Sequence, residues 1–128
     1  MKSKLKRAVE ARSVGTQQAD DGGDAVGSFR FAADFPGFAG HFPAYPVLPA
    51  VVQVLTAQVV VEQLLGRPLI MRRLERAKFL KQVRPGQTLQ VVCRERQSGG
   101  RRVWDARLTA DGEPAATFWM TLAEENEG

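Results

Sequence analysis

The 128-residue chain holds one histidine and one cysteine, so its means of moving protons or attacking carbon are few. His41 stands in Gly40-His-Phe-Pro-Ala-Tyr-Pro-Val-Leu-Pro, where Pro43, Pro46 and Pro49 each fix one φ angle and stiffen the segment. An imidazole that titrates near pH ~6.5 suits proton abstraction beside a carbonyl at neutral pH. Directly after the prolines the pattern turns helical, and backbone N–H groups at a helix's amino end can hold an oxygen on which negative charge develops. Base and oxyanion site would then lie close together. The plainer alternative is a surface or hydrogen-bonded structural histidine. Cys93 alternates with Leu89 and Val91 and reads as a packing residue. A single cysteine excludes an intrachain disulfide and leaves no zinc-ligand spacing. No metal or nucleotide motif is present, and the expectation is a protein without cofactor or metal.

The element that must position His41 is a helix. From Pro49 to Leu65 the spacing is helical, with Pro49 suited to the first turn, Gly66 to the left-handed position after the last, and Pro68 as a stop. Its apolar residues occupy nearly all sides, which describes a helix wrapped by other structure. Its many valines are poor helix formers, so tertiary packing must hold it. Residues 36–48 have no period and form a loop. Phe29 and Phe31 alternate with Arg30 and Ala32 as on a half-buried strand. After the helix the chain reads as strands: a long broken one from Leu69 to Lys81, a turn at Arg84-Pro-Gly-Gln, then alternating runs around Val91, Ala106 and Met120. Gly99-Gly100 and Asp111-Gly112 close the hairpins between them. The order of strand, loop, buried helix and about four antiparallel strands points to an α+β fold, a curled antiparallel sheet wrapped around one long central helix.

Residues 1–27 carry few large apolar side chains, and Thr16 to Asp24 is polar and glycine-bearing. They are expected to form a flexible leader, with a short helix near Lys4 to Arg12, ahead of a single domain over 28–128. The apolar stretch from Tyr45 to Val61 is interrupted by prolines, glutamines and a threonine and is too short for a membrane span. The basic start lacks the apolar run of a secretory signal, which makes the cytoplasm the default location. Basic residues gather at Lys2 to Arg12 and again at Arg67 to Arg84. Such groups form either a solvated surface or a docking face for an acidic partner. Nucleic acid is disfavoured, because the aromatic residues are not interleaved with the basic ones along the chain.

Two segments carry a resemblance to a known family. Gly40-His-Phe-Pro-Ala-Tyr-Pro-Val-Leu-Pro-Ala-Val-Val-Gln resembles the active-site loop of the 3-hydroxyacyl-ACP dehydratases, and Arg76-Ala-Lys-Phe-Leu-Lys-Gln-Val-Arg-Pro-Gly-Gln-Thr-Leu resembles their second signature. The two occur in the family's order and separation, and the resemblance covers about residues 29 to 123. The layout is similar to the shorter members that act in aryl-polyene and related lipid-like pathways.

The resemblance implies a hotdog fold and elimination of water from a 3-hydroxyacyl thioester, on acyl carrier protein or coenzyme A, to give a trans-2-enoyl thioester. By the same resemblance His41 takes the C2 proton, the N–H of Ala50 holds the thioester carbonyl, and Phe42, Pro43, Tyr45, Pro46 and Leu48 form the substrate loop. It further implies a homodimer or dimer of dimers, and an apolar tunnel beside the helix with His41 at its inner bend. The family's acid, fourteen residues after the histidine, falls on Leu55. A leucine donates no proton. Gln58 and Glu62 share its helix face and are the possible substitutes, although Gln58 is a poor acid and Glu62 lies roughly 10 Å along the axis. Glu62 otherwise reads as a solvent-facing or cross-dimer hydrogen-bonding residue. Gln53 and Thr56 flank the position and are weaker candidates. The alternative function is a catalytically impaired hotdog that binds an acyl carrier or serves as a partner subunit. A hotdog thioesterase fits less well, since those enzymes generally use a carboxylate and lack the His-Phe-Pro loop.

Overall fold

The computed structural model describes residues 4–18, 23–38 and 46–125. Along the chain run helix α1 (Lys4–Ala11), strands β1 (Ser13–Gln18) and β2 (Asp24–Arg30), a 3-10 turn at Pro36–Phe38, helix α2 (Ala50–Leu65), and strands β3 (Leu69–Phe79), β4 (Thr88–Ser98), β5 (Arg101–Ala110) and β6 (Glu113–Glu124). The strands pair antiparallel in the order β1-β2-β4-β5-β6-β3. The sheet curls around α2, which packs against β1, β2, β3, β4 and β6.

Helix α2 begins and ends where its residue types direct. Pro49 takes the N-cap position in extended conformation, one place before the helical turn expected of it, and Gly66 closes the other end at φ 71°. Within it, Val52, Val59, Val60 and Val61 are fully buried. Burying each contributes about 1.5 kcal/mol or more, which exceeds a propensity cost of roughly 0.5 kcal/mol. The sheet's inner face supplies the other side of the core through Ala25, Phe29, Leu89, Val91, Cys93, Ala106, Leu108, Phe118 and Met120. Gly27 marks the closest approach of β2 to α2: a Cβ there would lie 2.5 Å from Val60 Cγ2.

The expected hairpins form, with positive φ at Gly99 and Gly100 and at Asp111 and Gly112, as tight turns between twisted strands require. Strand β3 is broken as its sequence suggests, with irregularities between Met71 and Arg73 and between Glu75 and Lys78. In the second of these, Arg76 adopts φ 54°.

The start of the fold differs from expectation. The domain was expected from residue 28, after a flexible leader over 1–27, yet α1, β1 and the first half of β2 all precede that point. Strand β1 pairs with β2 in the common sheet, and α1 buries Val9 completely. Only the short helix was legible in this stretch. Backbone hydrogen bonding to an existing sheet edge orders a polar segment without apolar side chains of its own, and composition does not report it. Among the described residues no helix is long and apolar enough to cross a membrane.

Candidate active site

The chain entering α2 is held from two sides at Leu48. Its N–H donates to Val83 O at 2.7 Å, and its carbonyl accepts from Gln53 Nε2 at 3.3 Å. Three residues beyond Val83, Gly86 N–H donates to Phe31 O at 2.8 Å. Leu48 and Val83 are both buried. The loop segment and the Val83-Arg84-Pro85-Gly86 turn, far apart in sequence, are thereby tied together and to the end of β2. Phe31, Phe35 and Phe38 pack edge to face beneath the start of the loop, with ring centroids 4.6 and 5.9 Å apart. These contacts fix where both ends of the loop leave the core.

His41, Phe42, Pro43 and Tyr45 lie outside the described residues. Pro46 is half-buried and Leu48 is buried. Ala50 opens α2 and is exposed, and helix geometry leaves its N–H and that of Val51 without an intrahelical acceptor. Pro49 provides no side-chain cap to take them up. Among the described residues no side chain caps these donors, so an oxygen with developing charge could accept from them.

Leu55 is partly buried against the core, one turn after Val51, which is 59% exposed. These two residues mark the stripe of α2 that the chain's own sheet covers least. Gln58 and Glu62 are engaged elsewhere. Gln58 Nε2 donates to Leu69 O at 2.9 Å, while Glu62 Oε2 accepts from Leu69 N at 2.7 Å and from Lys6 Nζ. Both side chains are buried and hold the first residue of β3, with Glu62 also pinning α1. The reading of Glu62 as solvent-facing is therefore corrected, and neither residue stands as a free substitute acid. The reason is tertiary: β3 returns across the end of α2, and its first peptide group needs partners.

Gln53 is the residue the sequence reading undervalued. It is buried, its Nε2 positions Leu48, and among the described residues its Oε1 has no hydrogen-bond partner. A glutamine beside a proline loop on an otherwise apolar helix is the signal that could have raised it. Thr56 is spent on its own helix, donating to Gln53 O at 2.6 Å. Cys93 is buried, its Sγ 3.7 Å from Ala57 O. Desolvation first, and then the Asp105 and Asp24 carboxylates, push its thiol well above the usual range, which suits packing and not attack. Among the described residues no group of three or more ligand side chains could hold a metal.

The described recesses lie away from the amino end of α2. One of about 190 Å³ opens on the outer sheet face among Asp24, Arg94, Arg96 and Asp105, and one of about 270 Å³ lies by the carboxyl end of α2 near Glu10 and Glu62. The expected tunnel is defined by His41 and so falls outside the described residues.

Comparison with known proteins places this geometry. The profile of the ApeI-like family, described as ApeI dehydratase, matches residues 16–117, from β1 into β6 and across both joined segments. A 3-hydroxyacyl-[acyl-carrier-protein] dehydratase FabZ of Latilactobacillus sakei is 36% identical over 96 residues, covering 69% of each chain. That of Bacillus velezensis is 31% identical over 116 residues, 83% of this chain and 81% of its own. Among solved structures, the dehydratase heterocomplex ApeI:P from Xenorhabdus doucetiae matches with a TM-score of 0.72 at 22% identity, over 88% of this chain and 96% of that one. The PaaI protein of E. coli, from its phenylacetic acid degradation operon, matches with a TM-score of 0.65 at 16% identity, over 94% and 89%. Both share the hotdog architecture.

Proposed function

The chain belongs to the ApeI-like dehydratase family, and from that premise we propose that it removes water from a 3-hydroxyacyl thioester, on acyl carrier protein or coenzyme A, to give the trans-2-enoyl thioester. The observation that carries the reading is the joint at Leu48, which holds the uncapped amino end of α2 beside the Val83–Gly86 turn. In this reading the thioester oxygen accepts from Ala50 N–H as His41 takes the C2 proton. The electron pair from C2–H then forms the C2=C3 bond as the C3–O bond breaks, and the departing hydroxyl leaves as water by taking a proton from a bound water that recovers one from the His41 imidazolium. Phe42, Pro43, Tyr45, Pro46 and Leu48 keep water from the acyl chain. The thioester carbonyl itself stabilises the carbanion, so the chemistry calls for no cofactor. The relatives named FabZ support an acyl-carrier substrate.

Leu55 supports a second reading, a partner subunit or acyl-carrier binder without turnover of its own. Val51, Leu74 and Phe79 are 59%, 43% and 42% exposed, and the pairing of Leu74 with Met120 and of Phe79 with Ala116 puts the last two on the side of the sheet that faces α2. A second hotdog chain fits over them. In the first reading that chain is another copy, giving a cytoplasmic homodimer or dimer of dimers. In the second it is a different chain bearing the acid.

The test follows enoyl-thioester formation from 3-hydroxyacyl-ACP. If a positioned acid is what the site lacks, native protein is slow, Leu55→Glu accelerates it by about 10²–10⁴-fold, and His41→Ala abolishes the gain. If native protein is efficient and His41→Ala silences it while Leu55→Glu adds nothing, a water supplies the proton. Acyl-ACP binding without turnover in either protein establishes the partner reading. Absence of both binding and turnover overturns the acyl-thioester assignment.

A further inference from the structure

The outer face of the sheet carries side chains that the dehydratase reading does not use. Register lines up Asp24, Arg94, Asp105, Trp119 and Glu75 in one row across β2, β4, β5, β6 and β3. The acids in this row are recessed and the arginines around them project. The side chains of Asp24, Asp105 and Glu75 are 15%, 7% and 31% exposed, against 60% for Arg94 and 68% for Arg107. Arg94 grips Asp24 through two nitrogens at 3.0 and 3.2 Å, and Arg96 Nε donates to Asp105 at 2.8 Å. Arg101 reaches Glu75 at 3.3 Å and Thr121 Oγ1 at 3.2 Å. The carboxylates act as anchors, Asp105 buried and Asp24 and Glu75 partly so, and the guanidinium groups above them are held in place before any partner arrives. Less side-chain entropy is then lost on binding.

Trp119 sits in the middle of this array with the Arg76 guanidinium 4.3 Å from its ring. Arg76 lies in the irregularity of β3 between Glu75 and Lys78 at φ 54°, a conformation that costs a non-glycine residue on the order of 1 kcal/mol. Tryptophan and arginine are the residues on which protein interfaces concentrate their binding energy.

We propose that this outer face, centred on Trp119 and its surrounding arginines, docks an acidic protein surface. Six arginines (Arg73, Arg76, Arg94, Arg96, Arg101 and Arg107) stand against three recessed carboxylates, an excess that accounts for most of the chain's net charge of +4. The alternation of sign along the central row argues for a protein over nucleic acid. A phosphate backbone would run past carboxylates at every second strand, whereas a protein surface can set its Asp and Glu against the arginines and its donors against the acids. Arg73 and Arg76 belong to the basic cluster that the sequence left between solvated surface and docking face, and the sheet joins them to arginines of β4 and β5.

Poly-L-glutamate serves as the probe, titrated at low salt while tryptophan fluorescence is followed. Native protein should bind it in a salt-dependent way, with a fluorescence change that Trp119→Phe loses. The triple variant Arg73→Gln/Arg94→Gln/Arg107→Gln, which leaves Arg96 on buried Asp105, should bind about tenfold or more weakly. Lys4→Gln/Arg7→Gln/Arg67→Gln removes the same charge elsewhere and should change binding by about twofold or less. Should the first triple fail to fold by circular dichroism, Arg107→Gln alone, on an arginine whose side chain is 68% exposed, should still weaken binding by about threefold. Equal effects of the two triples, no binding by native protein, a fluorescence change that survives in Trp119→Phe, or tighter face-dependent binding of a DNA duplex or of phosphatidylserine vesicles would each overturn the proposal.

Discussion

At the scale of single residues, Glu62 shows how burial decides a role. Its carboxylate takes the N–H of Leu69 and the ammonium of Lys6 in a nearly dry environment, so removing it leaves the buried Leu69 donor unsatisfied and takes an ion-pair partner from Lys6. Glu62→Ala should lower stability by about 3 kcal/mol in chemical denaturation. Glu62→Gln retains an oxygen for Leu69 and should preserve whatever dehydratase rate the native protein has. Loss of rate in a folded Glu62→Gln variant would instead identify Glu62 as the proton donor. Cys93 makes a separate prediction about pH. The folded thiol keeps a proton that the unfolded chain releases above about pH 8.5, so the unfolded state binds fewer protons there and stability falls as pH rises. Unfolding free energy measured from neutral to alkaline pH should decline above that value in native protein and decline less in Cys93→Ala.

At the scale of elements, α2 and β2 meet at a spacing that only glycine permits. Gly27→Ala would put a Cβ 2.5 Å from Val60 Cγ2 and 3.0 Å from Thr16 Oγ1. Overpacking of this kind costs about 1–3 kcal/mol, and a lowered denaturation midpoint with unchanged slope would register it. The ends of α2 and the hairpin turns were legible because proline, glycine and aspartate act on their own backbone. The strand at Ser13–Gln18 was not, because its polar residues are ordered by the hydrogen bonds of β2. Amide exchange tests this directly: N–H groups of β1 bonded to β2 should be protected well beyond those of an unstructured peptide, and exchange at the unstructured rate would contradict the pairing.

At the scale of the whole molecule, the uncovered side of α2 and the inner edge of β3 leave Val51, Leu74, Phe79 and Leu80 at the surface. A second chain over this region would remove apolar area from water at about 25 cal/mol per Å². Light scattering at micromolar concentration should give two or four times the monomer mass, and Leu74→Glu/Phe79→Glu should shift it toward the monomer. A native monomer would contradict the assembly expected of the dehydratase reading. This surface and the arginine face lie on opposite sides of the sheet, so a chain seated on one leaves the other open.

By itself the sequence determined the wrapped helix, its two ends, the hairpins of β4 to β6 and the family, because each rests on local chemistry: backbone preference, apolar periodicity, or a motif read in order. Tertiary structure decided what long-range contact alone can set. It recruited residues before 28 to the sheet, tied Leu48 to Val83, and spent Gln58 and Glu62 on the first peptide of β3. It also gathered arginines from β3, β4 and β5 around Trp119. A side chain's free or engaged state depends on which distant backbone groups need a partner, and spacing along one helix does not contain that information.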